Sequence, residues 1–312
     1  MRLPHISPQA YRRLTLLALL ALAFIIVTGG AVRLTDSGLG CPDWPTCDNQ
    51  RVIAPLEFHA MVEFVNRVIT GIVSLAVMGA VLGSLRRQPR RRDLTWLSLG
   101  LVAGVIAQII LGGFTVMFHL LPQFVMAHFL LSMVLLANAV VLHHRAGEPD
   151  GSRPRLAVPP DLRHQGSLVV AAAGLAIFLG TVVTGTGPHG GDPEVERFPF
   201  VLAEVARVHG VAVVLFITLT LVTLWRLHKA GAPAPLMAAG RVLVAVSAAQ
   251  AVVGYTQYFT GVPVLLVGIH IAGAAAVWAT AIRFLLRFTV RSQAGAPAPS
   301  AATPAPEVLS RP

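Results

Sequence analysis

Three histidines interrupt long apolar runs: His128, His209 and His270. A neutral imidazole is expensive to leave unpaired in such surroundings, and it is also a good ligand for iron. A second constellation lies in MVEFVNRVITG, residues 61–71. There Glu63 and Arg67 stand one helical turn apart on a shared face, with Asn66 between them. Charges within apolar spans are costly and mark candidate functional sites. A third lies in CPDWPTC, where Cys41 and Cys47, the two cysteines of the sequence, close a short turn-rich loop.

The elements that carry these residues are membrane spans. The chain has 312 residues, of which 55% are hydrophobic and 12% charged, with a mean hydropathy of +0.71. Soluble domains carry about 25% charged residues, and runs this long and apolar need lipid. Eight spans are expected, over roughly residues 12–32, 57–85, 94–118, 122–143, 166–187, 201–226, 237–260 and 263–286. The first runs on into VTGGAVRLTDSG without a small-residue cleavage site, so it reads as a retained span. Arginines crowd the N-terminal segment and the loops near 86–92, 144–165, 226–241 and 283–291. The other face carries Arg33, Arg51 and Arg197 among more numerous acids. The basic excess places both termini in the cytoplasm. It also accounts for the net charge of +10 without nucleic-acid binding.

The chain is internally duplicated. AQIILGGFTVMFHLLPQFVMAH (107–128) lies on AQAVVGYTQYFTGVPVLLVGIH (249–270) without a gap. Val-Thr-Gly ends the first span of each half, at 27–29 and 183–185. Four spans per half make these parallel repeats about an axis along the membrane normal. The expected organisation is a half at 1–145, a linker at 146–163, a half at 164–290 and a disordered tail at 291–312. The expected fold is all-α: two tandem four-helix bundles.

Duplication implies two similar sites. The three histidines should lie at one depth, about 9–12 Å from the outer surface at 1.5 Å per helical residue. His209 and His270 would face one another in the second bundle. Two imidazoles at one depth suit axial ligation of haem iron. A proton relay and polar contacts between helices are the alternatives. Zinc would want further ligands at that depth. By analogy with His209, the partner of His128 falls at Asn66, a poor iron ligand. His59, two turns outside Asn66 on about the same face, is either interfacial or a polar group at the pocket mouth. Glu63 reads as a structural ion pair with Arg67, or as an acid facing the first pocket. Arg67 could also reach a haem propionate. Cys41 and Cys47 face an oxidising compartment, so a disulfide is expected, as a staple or as a cycling pair.

VTGGAVRLTDSGLGCPDWPTC, Glu63-x-x-Asn66-Arg67, the three histidines and the duplicated halves together resemble the haem A synthase family, over roughly residues 12–287. The resemblance implies oxidation of the ring methyl of haem O to a formyl group, giving haem A for terminal oxidase assembly. It implies haem b as resident cofactor on His209 and His270. Haem O as substrate would be received in the first half, with His128 as ligand, Glu63 as the essential acid and Cys41 and Cys47 as the outer-loop pair. The implied setting is a bacterial plasma membrane, with haem O synthase as a natural partner and a homo-oligomer as a possible assembly. Two departures stand out. The family has His where this chain has Asn66, and the loop GPHGGDPEVERFPF lacks a second cysteine pair. Two rival readings use the same features. A dihaem b-type electron carrier or quinol oxidoreductase would want four placed histidines. A two-repeat transporter would want broken helices at the midplane.

Overall fold

The computed structural model describes residues 5–48 and 51–292. The expected tail from residue 293 onward lies outside them. Among the described residues eight helices form: α1 Pro8–Leu34, α2 Phe58–Arg86, α3 Arg92–Met117, α4 Pro122–Ala146, α5 Pro160–Thr186, α6 Leu202–Lys229, α7 Ala234–Phe259 and α8 Val264–Leu286. All eight are long and apolar enough to cross a membrane. The protein is an all-helical, multi-pass membrane protein. Proline opens α1, α4 and α5, where its fixed φ suits the first turn and its missing N–H costs nothing. Helix α5 begins at Pro160, before the expected residue 166, because its polar first turns continue the helix beyond the apolar run.

Helices α1–α4 pack as one ring and α5–α8 as another. The rings meet through α1 and α4 against α8 and α5. Exchanging each helix for its counterpart turns the α1–α8 contact into the α5–α4 contact, which is compatible with a two-fold axis along the helices. Ile26, Met133, Leu136 and Ala275 fill the seam, and Trp278 Nε1 donates to the Met133 carbonyl at 2.8 Å.

The repeat survives in the backbone. The α3–α4 turn places His119 and Leu120 at φ 48° and 57°, and the α7–α8 turn places Gly261 and Val262 at φ 80° and 59°. Leu120 N–H donates to Thr115 O at 2.8 Å, and Val262 N–H to Gln257 O at 2.7 Å. Such left-handed pairs close a helix by satisfying its last carbonyls. Three non-glycine residues accept this conformation, so the turn shape is set by the fold around it.

The four loops on the side of Cys41 define one end of the molecule, and the arginine-rich loops define the other. At the arginine-rich end, β1 (Arg153–Leu156) pairs antiparallel with β2 (Thr289–Ser292). Arg291 and Ser292, expected in the disordered tail, therefore belong to this ribbon. The pairing joins segments far apart in sequence, which local composition does not report. Arg291 Nε lies 3.0 Å from a Glu148 carboxylate oxygen. Burial raises the affinity of Glu148 for its proton, against the pull of Arg291, Arg91 and Arg145. Arg87, 1% exposed, donates to both oxygens of Asp150 at 2.8 and 3.0 Å.

Candidate functional site

The cysteine loop is built onto the start of α2. A disulfide joins Cys41 and Cys47, which are 0% and 1% exposed. Gly40 lies against α2 so closely that a Cβ would stand 2.2 Å from His59 O, leaving no room for any other residue. Below the loop, Glu63 Oε2 accepts from Cys41 N–H at 2.7 Å. Its Oε1 accepts from Arg67 Nη2 at 2.5 Å and Nε at 3.2 Å. Arg67 also donates to three loop carbonyls: Cys41 at 3.0 Å, Asp43 at 3.2 and 3.3 Å, and Thr46 at 2.8 Å. Its guanidinium lies 5.1 Å from the Trp44 ring centroid. The planar fork of arginine can serve this many acceptors at once, which an ammonium cannot. The pair Glu63–Arg67 thus clamps the disulfide loop to the bundle. Glu63 is 6% exposed, and both its oxygens are engaged.

His59 is exposed, and its Nδ1 lies 2.9 Å from the Ser37 hydroxyl oxygen. Asn66 turns toward α1, where its Oδ1 accepts from the Thr28 hydroxyl at 2.8 Å. Asn66 and Thr28 border an apolar groove of about 350 Å³ between α1 and α2, and His59 is not among its lining residues.

Asn66, His128, His209 and His270 all sit on the buried stripe of their helices. Seven and eleven residues beyond each come Val73 and Val77, Leu135 and Ala139, Phe216 and Thr220, and Val277 and Ala281, all buried. That spacing is one helical face. The four residues themselves are half-buried, at the end of the stripe nearer the cysteine loop. Helices α2 and α4, like α6 and α8, stand diagonally across their rings. Side chains on such helices meet in the bundle interior.

The two repeat-mate histidines have matching surroundings. Gln108 Nε2 donates to His128 O at 3.1 Å, and Gln250 Nε2 to His270 O at 2.8 Å. A Cβ on Gly112 would lie 3.3 Å from His128 Cε1, and one on Gly254 would lie 2.9 Å from His270 Cε1. Glycine at these positions makes room for the rings. His209 lies against Gly180 in the same manner and donates Nδ1–H to Ala176 O at 3.0 Å. The Nδ1 atoms of His128 and His270 are buried with no partner among the described residues. No group of three or more His, Cys, Asp or Glu converges among those residues.

By sequence, Arg33 reads as one of the loop charges of the outer face. The structure sets it at the seam, where Nε donates to His189 O at 2.6 Å and Nη2 to Thr184 O at 2.7 Å. It ties the end of α1 to the second half. Gln108, Gln250 and Thr28 carry no chemical signature of their own in the sequence. The duplicated Ala-Gln and Val-Thr-Gly segments mark all three positions.

Residues 12–188 match the COX15-CtaA family, described as cytochrome oxidase assembly proteins. The chain belongs to this family. The match takes in the first bundle and α5, and His209 and His270 lie beyond it. Among curated relatives, a heme A synthase of Shewanella oneidensis is 29% identical over 194 residues, 55% of this chain and 56% of the relative. One of Exiguobacterium sibiricum is 29% identical over 140 residues, 45% and 47% of the two chains. One of Lysinibacillus sphaericus is 25% identical over 172 residues, 54% and 56%. The chain spans about half the length of the curated relatives it matches.

Proposed function

We propose that the protein is a haem A synthase that oxidises the ring methyl of haem O to a formyl group. The observation that carries this reading is the pair of repeat-related histidines, His128 and His270, each set against a glycine on the buried stripe of its own bundle. Family membership and the names of the relatives support it. The two halves, 1–145 and 164–290 about the linker 146–163, are read as a substrate half and a cofactor half.

The donor set of the second bundle fits haem b. His209 and His270 come from diagonal helices, and the Nδ1 hydrogen bond of His209 leaves Nε2 with its lone pair, the form that ligates iron. Bound there, haem b would supply one-electron redox chemistry. In the first bundle, His128 would hold the iron of haem O. Glu63 lies one helical turn from Asn66 and brings a carboxylate to that end of the bundle. As a carboxylate it would stabilise positive charge developing on the substrate, and it would then take up the proton released there at Oε2, the oxygen now bonded to Cys41 N–H. Arg67 orients it. His59, exposed and one turn before Glu63, is read as a polar group on the outer side of the same half. Cys41 and Cys47 keep the loop over the site. The arginine-rich end would face the cytoplasm of a bacterial cell, with both termini there. Haem O synthase is the natural donor of substrate.

Cells that make haem O but lack their own haem A synthase test this reading. Expression of the chain should yield haem A or its hydroxylated precursor in extracted haems. Membranes that hold folded, haem-loaded protein and contain neither would refute it.

A further inference from the structure

We infer that the first bundle holds its haem through His128 alone and leaves the opposite axial position open to a small ligand, with the amide of Asn66 as the polar group on that side. The inference rests on His128 being an iron ligand, as proposed above. It comes from comparing the two halves of this one chain. His128 and His270 keep the same glutamine, the same glycine and the same turn before them. On the facing helices, Asn66 and His209 each stand twenty residues before the last residue of the helix, Arg86 and Lys229. The halves therefore correspond at both positions, and they differ in chemistry at one.

That difference decides coordination. His209 spends Nδ1 on Ala176 O and keeps a lone pair on Nε2. Asn66 spends Oδ1 on the Thr28 hydroxyl. Held this way, the amide oxygen is a weak ligand for haem iron, and Nδ2 is a donor whose lone pair is delocalised into the amide and does not bind iron. Among the described residues no neighbouring group replaces it, and Met61 packs against the disulfide cluster. Both Glu63 oxygens are held by Arg67 and Cys41 N–H, and His59 is exposed and bonded to Ser37. A donor beside an open iron favours a small ligand that can accept a hydrogen bond, a diatomic molecule above all. Thr28 acts as a positioning residue by fixing the amide.

Carbon monoxide is the probe. Haem-loaded full-length protein is reduced, and CO binding is read from difference spectra in wild type, Asn66→His, Thr28→Val and His128→Ala. A His209→Ala/His270→Ala background, which removes both proposed second-bundle ligands, isolates the first-bundle haem. Wild type should bind CO at that haem, and Asn66→His should become low-spin and lose CO affinity at least tenfold. Thr28→Val should stay open, with affinity changed about fivefold, the worth of one neutral hydrogen bond. A wild-type first-bundle haem that is low-spin and inert to CO would overturn the inference. So would Asn66→His that binds CO like wild type, or His128→Ala that keeps the first-bundle spectrum. Intact CO binding without haem A formation would support this inference while refuting the proposed activity.

Discussion

Arg67→Met should release the cysteine loop. The substitution removes every donor that Arg67 gives to Cys41, Asp43 and Thr46 carbonyls and to Glu63 Oε1. Glu63 is left buried as a carboxylate with the Cys41 N–H alone. Removing one partner of a buried ion pair costs about 3–5 kcal/mol. The Arg67 side chain is 18% exposed, so water recovers part of this and about 2–3 kcal/mol is the better expectation. Both cysteines are buried, so reduction of their disulfide requires the loop to open. At about 1.4 kcal/mol per decade, the open population rises about 30- to 140-fold. The assay is the rate of disulfide reduction by a water-soluble phosphine in detergent, followed by thiol alkylation and mass measurement. Arg67→Lys should fall between, because it keeps the charge and loses the fork. Glu63→Gln combined with Arg67→Met should cost less than the sum of the two, since each removes the same pair. A reduction rate for Arg67→Met within about threefold of wild type would sink the clamp, and so would strict additivity.

His209→Ala and His270→Ala should each abolish the low-spin haem b spectrum of purified protein; a normal spectrum in both would refute the second-bundle assignment. Gly254→Ala should disturb the same spectrum, because its Cβ would stand 2.9 Å from His270 Cε1, whereas Gly210→Ala meets nothing within 4 Å and should leave it unchanged. Arg33→Ala strips the donors from His189 O and Thr184 O at the seam between halves. It should destabilise the protein by about 1–3 kcal/mol in thermal unfolding, with the exposed Arg90→Ala as an unaffected comparison.

Much of this architecture follows from local pattern. Eight spans are fixed by the length of the apolar runs, since lipid demands a helix of that length wherever backbone must be satisfied internally. The duplication is visible in the aligned segments around Gln108 and Gln250, and the structure repeats it in the turns at Leu120 and Val262. The asymmetry at Asn66 needs no coordinates either, because the repeat itself assigns that position a counterpart, His209.

The remainder depends on which distant residues meet. By sequence, Glu63 and Arg67 read as an ion pair, an acid facing the pocket or a propionate contact, and only the packing of the loop against α2 shows that they hold Cys41, Asp43 and Thr46. Arg33 reads as one more loop charge, yet its partners lie on a segment about 150 residues away. The ribbon of 153–156 with 289–292 joins the linker to the end of the second half for the same reason. Hydropathy and periodicity report the environment a residue prefers, and so they determined the spans, the repeat and the candidate ligands. Hydrogen bonds between remote backbone and side-chain groups report who the neighbour is, and only the tertiary structure decided that.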